Sequence, residues 1–540
     1  MHDKRGAARA NPAVECSSMT RINKRQIVKN VGSTWFSLGF DVLVGLFLSP
    51  FLIHWLGDTA FGIWVLIFSI TGYYGLFDLG IRSSVVRYVS KFTATDDTTE
   101  LAKLVNTALF TYTCIGVLAL AVTGVLSLYV DHIFKIPPEL HSTARWLLLI
   151  VGSSVAVGFP MGVVGGYLDG LQRFYVNNWA NIAGDLARLC LIVFAVHHGR
   201  GLLTIATITV GAPLFFSLMR GFVAYRIHPV RFGLKYVNRS TFRTIANYSG
   251  VTLIIMVATQ LKFKTDNIVI GTMISAAAVT YFSIGARIVS YAQQVVMALA
   301  QNFLPMASQS EATGNIDRLR KVFVAGNRFC ALTCFPVTAV LLALGQSVIE
   351  VWVGRKYVQT SYSVLVILII PATLMWAQAA SGRVLFGISK HRTWAFVTLT
   401  EGICNLILSI LLVRPLGIQG DALGTAIPLA CSMTLFMPWH LCRQLGIRMR
   451  TYLREAYVLP LLITAPLVAT LLLLRRWFHP HNYRQLGLQL LIAAAVYGLG
   501  VLWLLATKRA FQVGELVPKE ESVPVANGMG APVEAYQEES

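Results

Sequence analysis

Nine ionisable residues fall inside stretches that are otherwise apolar: Asp41, Asp185, Arg188, Lys262, Lys264, Asp266, Arg287, Arg383 and Glu401. Three of them crowd into SGVTLIIMVATQLKFKTDNIVIGTMISA, residues 249–276. An ionised group at the centre of a bilayer helix costs roughly 2.5–3.5 kcal/mol, so such groups must face a protein interior or a wet cavity. Helical spacing sorts them. Lys262 and Asp266 are four residues apart and Asp185 and Arg188 three, so each couple can pair along its own helix. Lys264 lies about 200° round the helix from Lys262 and cannot share its partner. Only one of those two faces is expected to see a cleft, and the spacing does not say which.

The elements that carry these groups must cross a membrane. Of the 540 residues 55% are hydrophobic and 13% charged, with a mean hydropathy of +0.62, against roughly 25% charged residues in a soluble domain. A span needs about 20 mostly apolar residues. The chain offers about fourteen such runs, broken by Gly, Pro and charged residues, which predicts an all-α integral membrane fold. Lys and Arg total 45 against 25 Asp and Glu. With a cytoplasmic N-terminus about 31 of the basic residues fall on the cytoplasmic side and about 9 outside. The excess therefore reads as membrane topology with both termini inside, not as nucleic-acid binding.

Compared with itself at an offset of about 217 residues, the chain shows a weak internal repeat. Asn30 meets Asn247, and Leu168, Gly170 and Arg173 meet Leu385, Gly387 and Lys390. One or two positions out of step, Asp185 meets Glu401 and Pro213 meets Pro428. Two six-span halves entering the membrane in the same direction give a parallel repeat about the membrane normal. The chain then divides into a cytoplasmic lead (1–29), a first bundle (30–228), a cytoplasmic linker (229–246), a second bundle (247–444), two added spans (445–508) and a disordered cytoplasmic tail (509–540). Asp78 in GLFDLGIRSS and Asp169 in GYLDGLQRF fall where spans reach the cytoplasmic face, beside Gly80 and Gly170, and read as gate or turn elements. The run after Asp78 has Ile81, Val85 and Val89 at helical spacing with Arg82, Arg87 and Lys91 between, the pattern of an interfacial amphipathic helix.

Catalytic signatures do not appear. The sequence has no GxxxxGK[ST], HExxH or nucleophile elbow, and its histidines are scattered in loops. The eight cysteines form no CxxC pair and are expected to be small packing residues. A transporter, not an enzyme, and no bound cofactor are expected.

Three runs, Leu56–Phe92, Gly166–Leu189 and Thr265–Ile288, resemble the polysaccharide-export, Wzx-type flippases of the superfamily that also holds multidrug antiporters and lipid II flippases. The similarity extends from about Asn30 to about Lys508. It implies two six-helix bundles around a cationic cleft and movement of isoprenoid-pyrophosphate-linked oligosaccharides across the bacterial inner membrane by alternating access. Polysaccharide polymerase and glycosyltransferases are the partners it implies.

A pyrophosphate carries about two negative charges and cannot cross hydrocarbon unpaired. Arginine suits it, because its planar fork binds phosphate oxygens bidentately and stays protonated. Arg287 and Arg383 have no acid on their own helix and are the first expected head-group contacts, with Lys262, Lys264 and Arg188 beside them. Asp41, Asp185, Asp266 and Glu401 are expected either to balance these bases or to bind the H+ or Na+ that couples a gradient to the cycle. A small-molecule antiporter on the same fold and a membrane glycan polymerase or ligase are the alternatives. The first predicts an interior dominated by acids or aromatics, and the second a larger extracytoplasmic loop than the sequence contains.

Overall fold

The computed structural model describes residues 24–247, 250–388, 391–477, 480 and 482–507. The first 23 residues of the lead, Cys16 with them, Ser249, Lys390, His479, His481 and the tail from residue 508 lie outside these. No strand occurs among the described residues.

The first helix begins inside the expected lead. α1 (Lys24–Gly72) runs 49 residues and turns back on itself at Gly57 (φ 75, ψ 173), a backbone conformation essentially confined to glycine. Then follow α2 (Ile81–Ala94), α3 (Thr98–Ile133), α4 (His141–Gly170), α5 (Phe174–His197) and α6 (Leu202–Ile227). The linker carries the short α7 (Arg239–Asn247). The second series is α8 (Gly250–Met273), α9 (Ala276–Ala300), α10 (Phe303–Ala312), α11 (Ile316–Val353), α12 (Val358–Ala377), α13 (Ala379–Gly387), α14 (His391–Cys431) and α15 (Met437–Leu445). α14 reverses at Gly417 (φ 59, ψ −137) as α1 does at Gly57. The chain ends with α16 (Met449–Leu453), α17 (Leu459–Trp477) and α18 (Tyr483–Ala506).

Among the described residues ten helical segments are long and apolar enough to cross a membrane, and two of them, Lys29–Asp78 and Thr393–Leu445, contain the glycine reversals. α8 and α9 fall outside that set, α8 because Lys262, Lys264 and Asp266 interrupt its apolar run. Length and hydropathy therefore do not establish the expected count of fourteen spans.

Corresponding elements use the same local chemistry. The Asp97 side chain accepts from the Glu100 amide at the start of α3. Asn315 accepts from the Arg318 amide at the start of α11. Both are N-caps that satisfy an otherwise orphaned helix amide. Each long helix follows a short one, α2 or α10, and α2 is amphipathic. Ile81, Val85 and Val89 on α2 are buried while Arg82 and Lys91 face out.

α1 joins the halves. It packs against α4 and α5 on one side and against α8 and α9 on the other. At Gly62 the backbone of Ala276 comes so close that any Cβ would collide with its carbonyl. The linker is fastened to the first half: Asn106 donates to the Arg231 carbonyl (2.8 Å) and Ser84 to that of Ile245 (3.3 Å). The added helices are tied to α11. Arg328 donates to the Glu455 carbonyl (2.7 Å) and pairs with its carboxylate (3.1 Å), and Tyr497 donates to the Leu332 carbonyl (2.5 Å). The sequence reading did not include this buried arginine.

The seven described cysteines are all free. Cys330, Cys334 and Cys442 are buried, whereas Cys114, Cys190 and Cys431 are exposed, so only part of the set packs in the interior.

Candidate functional site

The helix carrying three charges has two chemically distinct faces. Lys262 is 3% exposed, whereas Lys264 two residues on is exposed. Lys262 does not pair with Asp266 along its own helix, as the four-residue spacing allowed. Its ammonium instead lies 2.5 Å from the Glu401 carboxylate on α14, with both side chains 4% exposed. A charge taken out of water needs a partner of opposite sign and further hydrogen bonds. α14 supplies the partner, while Glu401 Oε1 has no hydrogen-bond partner among the described residues. The polar side chains around the pair bind backbone and one another, Asn405 donating to the Lys262 carbonyl (3.1 Å) and to Thr425 (3.0 Å) and Ser409 to Asn405 (3.0 Å).

Asp266 is thereby released from balancing a lysine. It accepts from Thr425 (2.9 Å) and is 6% exposed. Asp421, one turn before Thr425, is fully buried and close enough to feel the Asp266 charge. Neither Asp421 carboxylate oxygen has a hydrogen-bond partner among the described residues. The sequence reading missed Asp421 because it follows Pro415, Gly417 and Gly420, which look like a surface loop. The signal available was that Asp421 and Thr425 share a helix face.

The opposite face of α8 turns toward α1. Lys264 lies within van der Waals reach of the position a Cβ on Gly72 would take. It also feels the positive charge of Arg287 on α9. Arg287 donates to the Ser49 hydroxyl across the halves (2.7 Å) and lies over the Phe61 ring at 5.9 Å. Neither cation has a carboxylate partner among the described ion pairs. Two unneutralised cations side by side are held apart from hydrocarbon only if their surroundings are wet, and together they form a site for an anion.

From the Gly57 reversal down to the level of these cations the halves are sewn together. Asp58, beside the Gly57 reversal, accepts from Lys356, from Tyr357 (2.5 Å) and from Tyr281 (3.1 Å). Its carbonyl accepts from Thr280 (2.6 Å). Lys135 donates to the Met273 carbonyl (2.6 Å) and Trp352 to that of Leu46 (2.7 Å). The seam continues through Asn267 to Ser69 (2.9 Å) and ends where Gln260 donates to the Gly72 carbonyl (2.7 Å). The end of the molecule marked by Gly57 and Ser275 is hereafter the far end, and the end bearing α2, α7 and α10 the near end.

The first half presents the acids. Asp41 is exposed in the middle of an apolar helix. Asp185 pairs with Arg188 at 3.0 Å and feels the charge of Asp41. This is the pairing along one helix that the spacing anticipates. At the near end Asp78 accepts from Tyr112, beside Leu79 (φ 50) and Gly80 (φ 74). Asp169 accepts from Arg82 (3.0 Å) and Asn177 (2.6 Å). Both acids thus fasten turns. Arg383 lies apart from Lys264 and Arg287. It lines a cavity of about 180 Å³ with Met297, Met375, Phe386, Trp394 and Met433.

Outside the cleft an apolar groove follows α11 and α18. One cavity of about 560 Å³ is lined by Leu46, Tyr291, Val340, Leu486 and Leu490. A second of about 750 Å³ is lined by Phe303, Phe329, Val501 and Leu505, with Arg318 and Lys321 at its margin. Pro336 and Tyr497 border both.

Residues 27–311 match the family described as polysaccharide biosynthesis protein. The chain belongs to that family. The putative O-antigen transporter of Shigella flexneri is 20% identical over 416 residues, 74% of this chain and 94% of that one. The uncharacterized membrane protein EpsK of Bacillus subtilis is 22% identical over 436 residues, 77% of this chain and 83% of that one. The probable low-salt glycan biosynthesis flippase Agl15 of Haloferax volcanii is 23% identical over 255 residues, 47% of this chain and 54% of that one. Among solved structures, the inward closed conformation of the lipid II flippase MurJ superposes with a TM-score of 0.71 at 14% identity, over 89% of this chain and 99% of that one. An inward-facing multidrug resistance MATE family transporter of the MOP superfamily gives 0.66 at 15% identity, over 78% and 99%. At these identities the structural likeness concerns the fold alone.

Proposed function

We propose that this membrane protein carries a lipid-linked oligosaccharide from one leaflet to the other by alternating access between its two halves. The observation that carries the reading is the pair Lys264 and Arg287, two cations between the halves without carboxylate partners among the described residues. A pyrophosphate that leaves water needs fixed positive charge along its route. The names of the Shigella and Haloferax relatives, a transporter of O-antigen and a glycan flippase, support the same substrate class. The isoprenoid tail would lie in the apolar groove along α11 and α18 and stay out of the wet cleft.

With the far end sewn shut by Asp58, the cleft would load from the near end. The basic residues at that end support reading it as the cytoplasmic face of a bacterial inner membrane. The chain is then a carrier without catalysis of its own, and the glycosyltransferases that build the glycan and the polymerase that extends it would act on either side.

An H+ or Na+ gradient would act through the buried acids. Lys262 neutralises Glu401, so Asp266 and Asp421 are left as two adjacent carboxylates that a proton or a sodium ion would stabilise. Release of that ion would change the packing of α8 on α14 and so bias the cycle.

The test is reconstitution in vesicles with a fluorescent polyprenyl-pyrophosphate oligosaccharide. Wild-type protein is expected to move it between leaflets and the Lys264→Ala/Arg287→Ala double variant is not. Dependence on the gradient is expected to vanish in Asp266→Asn and in Asp421→Asn. Equal transport by wild type and double variant would remove the cleft cations from the mechanism.

A further inference from the structure

A second pair of arginines meets on the first half, well away from Lys264 and Arg287 in sequence. Arg82 begins α2 and Arg220 lies on α6, seven residues before its end. Both guanidinium groups reach the same point on α4: a Cβ on Gly165 would lie 3.6 Å from Arg82 Nη2 and 3.7 Å from Arg220 Nη2. A Cβ there would be in van der Waals contact with both, and a longer side chain would compete with them for the space. Two like charges brought this close repel unless something negative lies between or beside them.

The protein supplies one carboxylate for the two. Asp169 accepts from Arg82 at 3.0 Å and from Asn177 at 2.6 Å. Arg220 feels both Asp169 and Arg82 but forms no ion pair among those described. Its one hydrogen bond is a 3.5 Å contact from Nη2 to the Met161 carbonyl, and its buried Nε has no partner among the described residues. The cluster carries one net positive charge with most of a guanidinium fork unused. Space adjoins it: a Cβ on Gly158 or Gly162, which lie on the same face of α4 as Gly165, would meet nothing within 4 Å. The Arg82 side chain is 53% exposed, so the cluster opens to the near end.

We propose that Arg82 and Arg220 form a second phosphate-binding site, on the first half at its near end, which takes a phosphate or pyrophosphate group. Two forks can bind phosphate oxygens bidentately, and Asn177 fixes Asp169 so that the acid steadies Arg82 without covering Arg220. The phosphate can belong to a free anion, to a phospholipid or to the lipid-linked substrate. Only the last of these rests on the transport reading.

The experiment uses the full-length protein purified with Lys264→Ala/Arg287→Ala, so that the cleft cations are silent, and measures binding of labelled inorganic pyrophosphate. Binding is expected to persist. Adding Arg220→Gln is expected to weaken it at least about tenfold, and adding Arg220→Lys to weaken it less, because the charge remains while the fork is lost. Arg82→Gln, at an exposed position, tests the same site should Arg220→Gln fail to fold. No binding in the double-variant background, or equal binding after either glutamine substitution, would overturn the site. Native mass spectrometry of co-purified phosphatidylglycerol and of added polyprenyl pyrophosphate then names the source, as the lipid whose retention falls in Arg82→Gln. If neither falls while pyrophosphate binding does, the ligand is the free anion. Arg220-dependent pyrophosphate binding in a protein that moves no lipid-linked oligosaccharide leaves the site standing and removes the transport reading. Transport with Arg220-independent pyrophosphate binding does the reverse.

Discussion

Lys262 and Lys264 stand two residues apart on one helix and meet opposite fates. Lys262 is enclosed by α14, paired with Glu401 at 2.5 Å, and surrounded by the bonds of Asn405, Thr425 and Ser409. Lys264 is exposed beside α1, with Arg287 as its charged neighbour. The difference teaches how one charged helix serves two purposes. The face turned to α14 spends its charge on internal balance, and the face turned to the cleft keeps its charge for something that comes and goes.

The largest expected effect comes from the enclosed face. Lys262→Met leaves Glu401 buried and uncompensated, and breaking such a pair costs about 3–5 kcal/mol. Thermal unfolding in detergent should show it, and Lys262→Met/Glu401→Leu should recover most of the loss, because removing both charges removes the desolvation penalty as well. A double variant no more stable than the single one would mean that the network does more than balance one lysine.

Next comes the seam that holds the far end shut. Asp58→Asn removes the charge that Lys356, Tyr357 and Tyr281 converge on. Hydrogen bonds to a charged group contribute about 1.5–3 kcal/mol each, so amide exchange over the first turn of α9 is expected to rise about tenfold or more. Unchanged exchange would show that Lys135 and Trp352 suffice to hold the halves together.

The reversals at Gly57 and Gly417 should give a smaller effect. Alanine at either position is forced into a conformation that disfavours a Cβ, at about 1–3 kcal/mol. Both substitutions should lower thermal stability alike if the two hairpin-like helices are equivalent. Smallest of all is Lys264→Ala. An exposed lysine without a partner should change stability by no more than about 0.5 kcal/mol, while its effect on transport is expected to be large.

The sequence carried the helical class and the division of α8 into two faces, because a 3.6-residue period places side chains without any tertiary knowledge. It also anticipated the Asp185–Arg188 pair, which needs only three-residue spacing. It could not choose between Asp266 and Glu401 as the partner of Lys262, since the second choice depends on how α14 packs against α8. Asp421 was hidden for a related reason. Proline and glycine around residue 417 read as a loop, whereas the reversal occupies a single residue and the next helix starts at once. Arg220 falls seven residues before the end of α6, where basic residues ordinarily mark a membrane border, and Arg328 twelve residues into α11; only packing shows that the first is half-buried and the second buried. The glycine reversals inside α1 and α14 each occupy a single non-helical residue, so a helix is continuous in length where the apolar pattern already divides into two runs.

The most direct measurement is transport of a fluorescent polyprenyl-pyrophosphate oligosaccharide by vesicles containing Lys264→Ala and, separately, Lys262→Met/Glu401→Leu. The expected result is transport lost in the first with stability unchanged, and transport of the glycan lipid retained in the second. Full transport with Lys264→Ala, together with loss only when the enclosed pair is removed, would contradict the assignment of the two faces.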